Sequence, residues 1–410
     1  MAKRKSEHLS GRRKFFGMAG TGLASMAVIP ELAFAGRNKS STTATEGTSE
    51  KVWTPISDRK IRVGIVGYGR SHFGSAFGFQ NHPNVEVVAV SDLIPGRFAA
   101  LAKATGCKKT YPSLEEIVKD KRIEAIWLAT DAPSHPRHCM EVLSHGKHVA
   151  VAVPAIWGSI EEGERLLEAV KRSGLNYMMF ETSCFRKNNF EMRQIYNAGG
   201  FGRIVYSEGE YFHASQGSDQ MTIDPAKVQD PHAGSYNGWR VGAPPLWYAT
   251  HNTAYYVGVT GKPFIDVSCY GVKTRDPREN TYGNPFDTEV ALFRTEDGGI
   301  SRQVRSRGIR GSSAETGRIR GTRGSYDHEY EGLLEKLPDL ERPALPPGVP
   351  EGGHGGSHGL LMQEFIYSII EKRKPLVDIA LALNMTVPGI IAHESAMKDG
   401  ELLKIPSFTF

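Results

Sequence analysis

The chain has 410 residues, with 50 Lys+Arg against 45 Asp+Glu and a formal net charge of +5. That length allows two or three domains of about 150 residues each, and 40% apolar with 23% charged residues is the balance of an ordinary soluble globular protein. The sequence has no uninterrupted apolar run of about 18 residues, which excludes a polytopic membrane protein, and its four cysteines (Cys107, Cys139, Cys184, Cys269) are too few and scattered for a disulfide scaffold or a zinc site.

The charge is concentrated at the start. Residues 1–35 hold six basic side chains (Lys3, Arg4, Lys5, Arg12, Arg13, Lys14) against Glu7 and Glu31, so four of the five net charges lie there. A weakly apolar stretch, Phe15 to Pro30, follows, and then Ala33-Phe34-Ala35, an A-x-A cleavage pattern. Basic, apolar and small-residue sections in that order are the layout of an export signal, and the pair Arg12-Arg13 points to the twin-arginine route. The expectation is a signal peptide over 1–35, the twin-arginine export machinery as a partner, a periplasmic or secreted mature protein and no stable membrane span after processing. That route carries folded proteins, a common reason being a cofactor loaded in the cytoplasm, so a tightly bound cofactor is expected. The rest of the chain is close to neutral, which makes a nucleic-acid partner improbable.

Residues 36–58 are polar and aperiodic, a flexible linker or an arm that packs on a neighbour. Short apolar strands then alternate with helices. Strands read at 61–66, 85–90, 123–128, 148–153 and 175–180; helices read at 69–80, 95–105, 134–145 and 160–172, with a helix-opening Ser113-x-x-Glu116 between. This alternation implies a parallel sheet with crossover helices, covered on both faces because its strands are almost continuously apolar. After residue 183 the pattern changes: a helix at 188–198, then strand candidates at 203–213, 264–272, 287–296, 300–310 and 318–328, then helices at 359–372 and 378–397. The fold class is α/β: an N-terminal Rossmann doubly wound sheet over 59–182 and a C-terminal α+β domain over 183–410 with a large, mostly antiparallel open sheet. The stretches 214–246 and 329–357 are long enough for functional or interface loops.

The first strand runs directly into Gly67-Tyr-Gly69-Arg-Ser-His-Phe-Gly74. Gly67 suits the tight turn and Gly69 the close approach of a pyrophosphate, with Gly74 standing two positions beyond the place of the third glycine. Asp92 ends the second strand at the spacing expected of the carboxylate that accepts from the adenosine ribose hydroxyls. It would repel a 2′-phosphate, which favours NAD, although the nearby Arg97 leaves NADP open. Thr130 and His135 follow the strand at 123–128, beyond whose end ligands of such sheets bind.

With these residues assembled, the chain resembles the Gfo/Idh/MocA oxidoreductases over about residues 59–405. The resemblance rests on the GIVGYG turn, Asp92, the ATDAPSHPRH and GKHVAVAVP segments, and the two-part pattern. It implies NAD or NADP, a sugar, inositol or related carbohydrate substrate, and a homo-oligomer built on the open sheet. The family's Glu-Lys-Pro matches Ala152-Val153-Pro154 here, at the end of the 148–153 strand: Pro154 keeps its place beside the cofactor, and the lysine is lost. The family's aspartate four residues before a histidine is Trp247 before His251. His251 is thus the base expected to take the substrate hydroxyl proton, and Tyr248 supplies a second polar tip. Glu181 is expected to orient His251 or a sugar hydroxyl, Trp247 and Trp239 to offer stacking faces, and Arg240 a fork of donors. No metal is expected at His354 and His358, which lack further ligands; their glycine loop is read as shaping the substrate pocket. The arginines between Arg302 and Arg323 are read as lining one sheet face, at a subunit contact. Three functions follow: an exported NAD(P)-dependent carbohydrate oxidoreductase, a glycoside-cleaving enzyme using NAD by transient oxidation and elimination, or a non-catalytic sugar-binding relative.

Overall fold

The computed structural model describes residues 51–69, 72–214, 239–240, 242–274 and 276–410. The expected signal peptide over 1–35, the expected linker up to residue 50, and residues 215–238 of the stretch read as a long loop lie outside the described residues.

Six strands form a wholly parallel sheet: β1 (Ile61–Val66), β2 (Val85–Ser91), β3 (Thr110–Tyr111), β4 (Ala125–Leu128), β5 (His148–Val151) and β6 (Tyr177–Met179), in the order β3-β2-β1-β4-β5-β6. This is the doubly wound order, whose ligand crevice opens at the strand C-termini where the order reverses beside β1. Every residue of β4 and β6 is buried, as strands covered on both faces require.

Local signals explain most of the crossovers. Helix α1 (Phe73–Ala76) is a single turn, not the 69–80 helix the glycine motif suggests, because Gly78 takes φ 78° and sends the chain into a 3-10 turn at Phe79–Asn81. Helix α2 (Pro95–Thr105) opens on Pro95 and closes on Gly106 at φ 66°. The Ser113 pattern yields only the one-turn α3 (Leu114–Ile117), with no side-chain bond to the helix end. Helix α4 (His135–Ser144) follows β4. In α5 (Ile160–Ser173) the Ser159 hydroxyl does accept from Glu162 N–H, and acids lead while Lys171 and Arg172 trail, matching the helix dipole.

The second sheet has eight strands: β7 (Ile204–Phe212), β8 (Phe264–Lys273), β9 (Phe286–Thr295), β10 (Ile300–Ser306), β11 (Ala314–Gly321), β12 (Gly324–Tyr326), β13 (Tyr330–Gly332) and β14 (Leu403–Lys404), in the order β13-β12-β11-β7-β10-β9-β8-β14. Only β7 and β10 run parallel. The α/β class with one parallel and one mostly antiparallel sheet is therefore the one legible in the sequence. Arg302 and Arg318 lie on the outer face, paired with Glu208 and Glu210. Arg305, one residue out of phase with Arg302, points inward and is 1% exposed, so the arginines between 302 and 323 do not share one face.

Of two single turns, α7 (Thr250–Thr253) lies against β7, β10 and β11 on the inner side of this sheet, and α8 (Val257–Thr260) packs on helix α6 (Lys187–Asn197). The chain then returns to the first sheet. In α9 (His358–Ile370), Phe365 meets Phe180 and His358 stacks on Phe77 at 4.2 Å. Helix α10 (Ile379–Met397), capped by Asp378, is buried nearly all round and packs on both α5 and β8. Residues 358–397 thus belong as much to the first sheet's core as to the second's. At the other end Trp53 donates to Tyr367 of the same chain at 2.7 Å, so residues near it pack on α9.

Candidate active site

At the end of β1, Gly67 has φ 88°, and a Cβ there would come within 2.5 Å of the Ala129 carbonyl oxygen. Only glycine fits, so β1 and β4 can approach at the turn. Gly69 is also left-handed, at φ 69°. Gly74 fills the third-glycine role from its later position: a Cβ there would lie 2.4 Å from the Gly67 oxygen, so α1 rests on the turn. The Asp92 carboxylate accepts from Tyr68 N–H at 2.7 Å and Ile94 N–H at 2.9 Å, which fixes it at the end of β2 beside the turn. A glycine cradle that a side chain would fill, with a fixed carboxylate one strand away, fits a dinucleotide with free ribose hydroxyls.

Thr130, His135 and Pro154 sit together at the ends of β4 and β5. Both His135 ring nitrogens are engaged, Nδ1 with the Pro154 carbonyl at 2.8 Å and Nε2 with the Thr130 carbonyl at 3.3 Å. Burial pushes its pKa down, with the two carbonyls opposing. The ring is 1% exposed, so His135 ties the two strand ends together and acts on a ligand through them. Thr130 hydroxyl meets His138 Nδ1 at 3.0 Å.

Around His251 the second sheet supplies the floor. In register across four strands, one inner-face row reads Glu315, Tyr211, Arg305, Glu289. One step along, Gly317 faces Gly209. A Cβ on Gly209 would lie 2.2 Å from the Asn252 oxygen, and one on Gly317 2.2 Å from the Tyr255 ring. These two glycines let residues 250–255 lie directly on the sheet, which brings His251 over the row.

His251 is buried, and its Nδ1 meets Glu181 Oε1 at 2.8 Å. Glu181 stands just past β6; its Oε1 also accepts from Ser183 N–H, and its Oε2 is buried with no partner among the described residues. Glu315 lies 4.0 Å from the same His251 nitrogen and is held by the Ser183 hydroxyl and by Arg186. Burial pushes the His251 pKa down, but the two carboxylates outweigh it and the net direction is up. For Glu315, burial raises the pKa while His251 and Arg186 lower it further, and the net direction is down. Tyr211, Tyr248 and His354 surround the imidazole with ring centroids at 4.7, 5.4 and 6.0 Å. Burial, with Tyr248 beside it, raises the Tyr211 phenol to about 12, so it stays protonated. His354 sits at φ 51° in the 352–356 glycine loop, and its Nδ1 meets His358 Nε2 at 3.0 Å. Among the described residues no three His, Cys, Asp or Glu side chains converge as a metal site.

The structure thus brings Glu181, Tyr248 and His251 together. Arg240 joins them from outside, its guanidinium 5.5 Å from the Tyr248 ring. Trp247 falls elsewhere: it packs on Gly158, Trp157, Tyr282 and His393. Trp239 bridges the two groups, with its ring edge-on to Trp157 at 4.8 Å and under the Arg240 guanidinium at 4.5 Å. Sequence reasoning missed Tyr211, Arg305 and Glu315. Strand alternation places each on the inner face, but only the cross-strand register puts them in one row.

A parallel sheet with a glycine turn and a strand-end carboxylate defines an NAD-binding oxidoreductase fold, and a buried Glu181–His251 pair lies beyond its last strand. Residues 61–181 match the family model described as "Oxidoreductase family, NAD-binding Rossmann fold", GFO_IDH_MocA. That segment is similar to the NAD-binding domain of the Gfo/Idh/MocA oxidoreductases. A glycosyl hydrolase family 109 protein of Streptomyces niveus is 23% identical over 403 residues, covering 85% of this chain and 77% of its own. A glycosyl hydrolase family 109 protein of Bacteroides fragilis is 26% identical over 162 residues, covering 37% of this chain and 35% of its own. Among solved structures, scyllo-inositol dehydrogenase from Lactobacillus casei, with bound NAD(H) and scyllo-inositol, superposes with a TM-score of 0.65 at 17% identity, covering 84% of this chain and 99% of its own. Levoglucosan dehydrogenase, in complex with NADH and levoglucosan, gives 0.67 at 18%, covering 85% and 100%. At these identities the likeness is one of fold.

Proposed function

We propose that this protein removes hydride from a carbinol carbon of a sugar or polyol, with His251 taking the hydroxyl proton. The observation that carries this is the buried Glu181–His251 pair directly beyond β6. NAD, when bound, accepts the hydride. Glu181 accepts from Nδ1–H and so leaves Nε2 as the basic nitrogen. As His251 takes the proton, Glu181 and Glu315 stabilise the imidazolium that forms. Val153 cannot replace the missing family lysine, so proton handling falls on His251, with the Tyr248 and Tyr211 hydroxyls as its polar neighbours. Incubation of the purified protein with NAD and a carbohydrate panel should raise the reduced-nicotinamide absorbance, and His251→Ala should abolish the rise. Silence across the panel, with folded and NAD-loaded protein, would refute the reading.

A second reading shares the first step. The glycosyl hydrolase family 109 relatives favour it: oxidation at C3 acidifies the C2–H, a base removes that proton, the C1–O bond to the aglycone breaks, and hydride returns after water adds. Release of nitrophenol from nitrophenyl glycosides without net NADH distinguishes it from net oxidation.

The basic, twin-arginine start supports export of the folded, NAD-loaded protein to the periplasm or beyond. Arg12→Lys with Arg13→Lys should retain the precursor in the cytoplasm, and export of that variant at the normal level would refute this. The outer face of the eight-stranded sheet exposes Tyr270, Val272, Leu292 and Ile300, a surface suited to a homo-oligomer. Light scattering should give more than one chain, and Tyr270→Glu should reduce it.

A further inference from the structure

We infer that His354 is a second catalytic imidazole: its Nε2–H donates to the same carbinol oxygen whose proton His251 takes, and His358 holds it in that tautomer. This rests on the hydride-transfer reading above and adds a residue to it.

His354 has φ 51° inside the 352–356 glycine loop, a left-handed conformation that glycine or asparagine takes at less cost. Its surroundings hold it there. Arg342 donates to the Gly355 and Gly356 carbonyls at 3.2 and 2.9 Å and to the Phe185 carbonyl at 3.1 Å. The loop is thereby tied to the segment that follows Glu181. The centroid of the His354 ring lies 6.0 Å from that of Phe73, the first residue of α1 after the glycine turn. It lies 6.0 Å from that of His251 as well, with the two imidazole planes 18° apart. His354 thus stands between the dinucleotide cradle and the base, and nothing in the Glu181–His251 pair requires an imidazole there.

Hydrogen bonding decides which of its nitrogens carries the proton. Gly353 N–H can only donate, and it meets His358 Nδ1 at 3.2 Å. Neutral His358 therefore has its proton on Nε2 and donates it to His354 Nδ1, 3.0 Å away. With Nδ1 accepting, the His354 proton is on Nε2, on the side of the ring away from His358. Burial lowers the pKa of both rings, and at His354 the charge on His251 lowers it further, against Glu315 and Glu181. The two active-site imidazoles are then complementary. Glu181 occupies Nδ1–H of His251 and leaves an acceptor at Nε2; His358 occupies Nδ1 of His354 and leaves a donor at Nε2. One oxygen about 2.9 Å from each nitrogen spans at most about 5.8 Å, the scale of the 6.0 Å between the rings. As the carbinol carbon loses hydride and His251 Nε2 takes the hydroxyl proton, the C–O bond becomes C=O and its oxygen passes through alkoxide-like charge. A fixed, neutral N–H at that oxygen stabilises the charge and keeps its own proton throughout.

The test uses the full-length, NAD-loaded protein labelled with 15N-histidine and read by long-range 1H–15N NMR, with His354→Gly identifying the His354 signals. At pH 7 His354 should be neutral with its proton on Nε2, and that signal should shift when a carbohydrate of the panel is added. In His358→Phe, which keeps a ring against Phe77 and removes the donor, the proton should no longer be confined to Nε2. In turnover, folded His354→Gly should lose about 100-fold in kcat, and His354→Asn, which suits the left-handed backbone and keeps an N–H donor, should recover most of that loss. A His354 proton on Nδ1, an Nε2 signal unmoved by every sugar, wild-type kcat in His354→Gly, or equal losses in the Gly and Asn variants overturns the inference. An unchanged tautomer in His358→Phe overturns the role of His358. A sugar that shifts the His354 signal without reduction of NAD would leave the donor contact standing and count against the hydride-transfer reading instead.

Discussion

Glu181→Gln isolates what the buried carboxylate does for His251. The exchange keeps the shape: the amide oxygen can still accept from Ser183 N–H and from Nδ1–H of His251, which Glu181 Oε1 now meets at 2.8 and 2.8 Å. It removes the charge that stabilises the imidazolium formed as the substrate hydroxyl loses its proton. Both residues are buried, so solvent screens this little. A hydrogen bond to a charged group contributes about 1.5–3 kcal/mol, which corresponds to a fall in kcat of roughly 10- to 150-fold. The direction on pH is also fixed. His251 must be neutral to act as base, and its pKa is raised by Glu181 and Glu315 against the effect of burial. Oxidation therefore switches on as pH rises through that raised pKa, and losing Glu181 moves this limb to lower pH. The assay is kcat against pH by nicotinamide absorbance, with the melting temperature of each protein recorded. A folded variant with wild-type kcat and an unmoved limb would refute the role given to Glu181.

Gly67→Ala should empty the cofactor site: φ 88° and a Cβ 2.5 Å from the Ala129 oxygen leave the turn no room, so NAD released from the denatured protein should fall well below the wild-type amount. Gly389→Ala tests the packing that holds Tyr248. Alanine usually improves a helix by about 1 kcal/mol, but here its Cβ would stand 1.9 Å from the Leu246 oxygen, and backbone cannot yield as a side chain can. A net loss of about 1–3 kcal/mol should lower the melting temperature, and an unchanged or higher value would contradict the contact. Burial also pushes His82, His138 and His358 from 6.5 down to about 4. Across that window the unfolded chain binds protons that the folded chain refuses at these three rings, so their contribution to stability should fall as pH drops from 6.5 toward 4. Thermal melts at pH 7, 5.5 and 4.5 check this.

The first sheet and its glycine turn are legible in the sequence alone. Continuous apolar strands, Ser159 as a cap, Gly106 and Gly174 as stops and Asp92 at a strand end are short-range signals, and short-range physics places them. It overreached where a local pattern lacked tertiary support, as in the 69–80 helix and the Ser113 opening. His251, Glu181 and Tyr248 were legible because the first sheet's strand ends and one short segment carry them. Tyr211, Arg305 and Glu315 were not. Each lies in a polar, alternating strand where a charge reads as solvated, and each becomes part of the site only through a register spanning β11, β7, β10 and β9. The tertiary structure also decided that α9 and α10 return to the first sheet, and that Trp247 joins Trp157, Tyr282 and His393. Strand pairing and helix docking are set by contacts between residues tens to hundreds of positions apart, and spacing along the chain does not encode which of them meet.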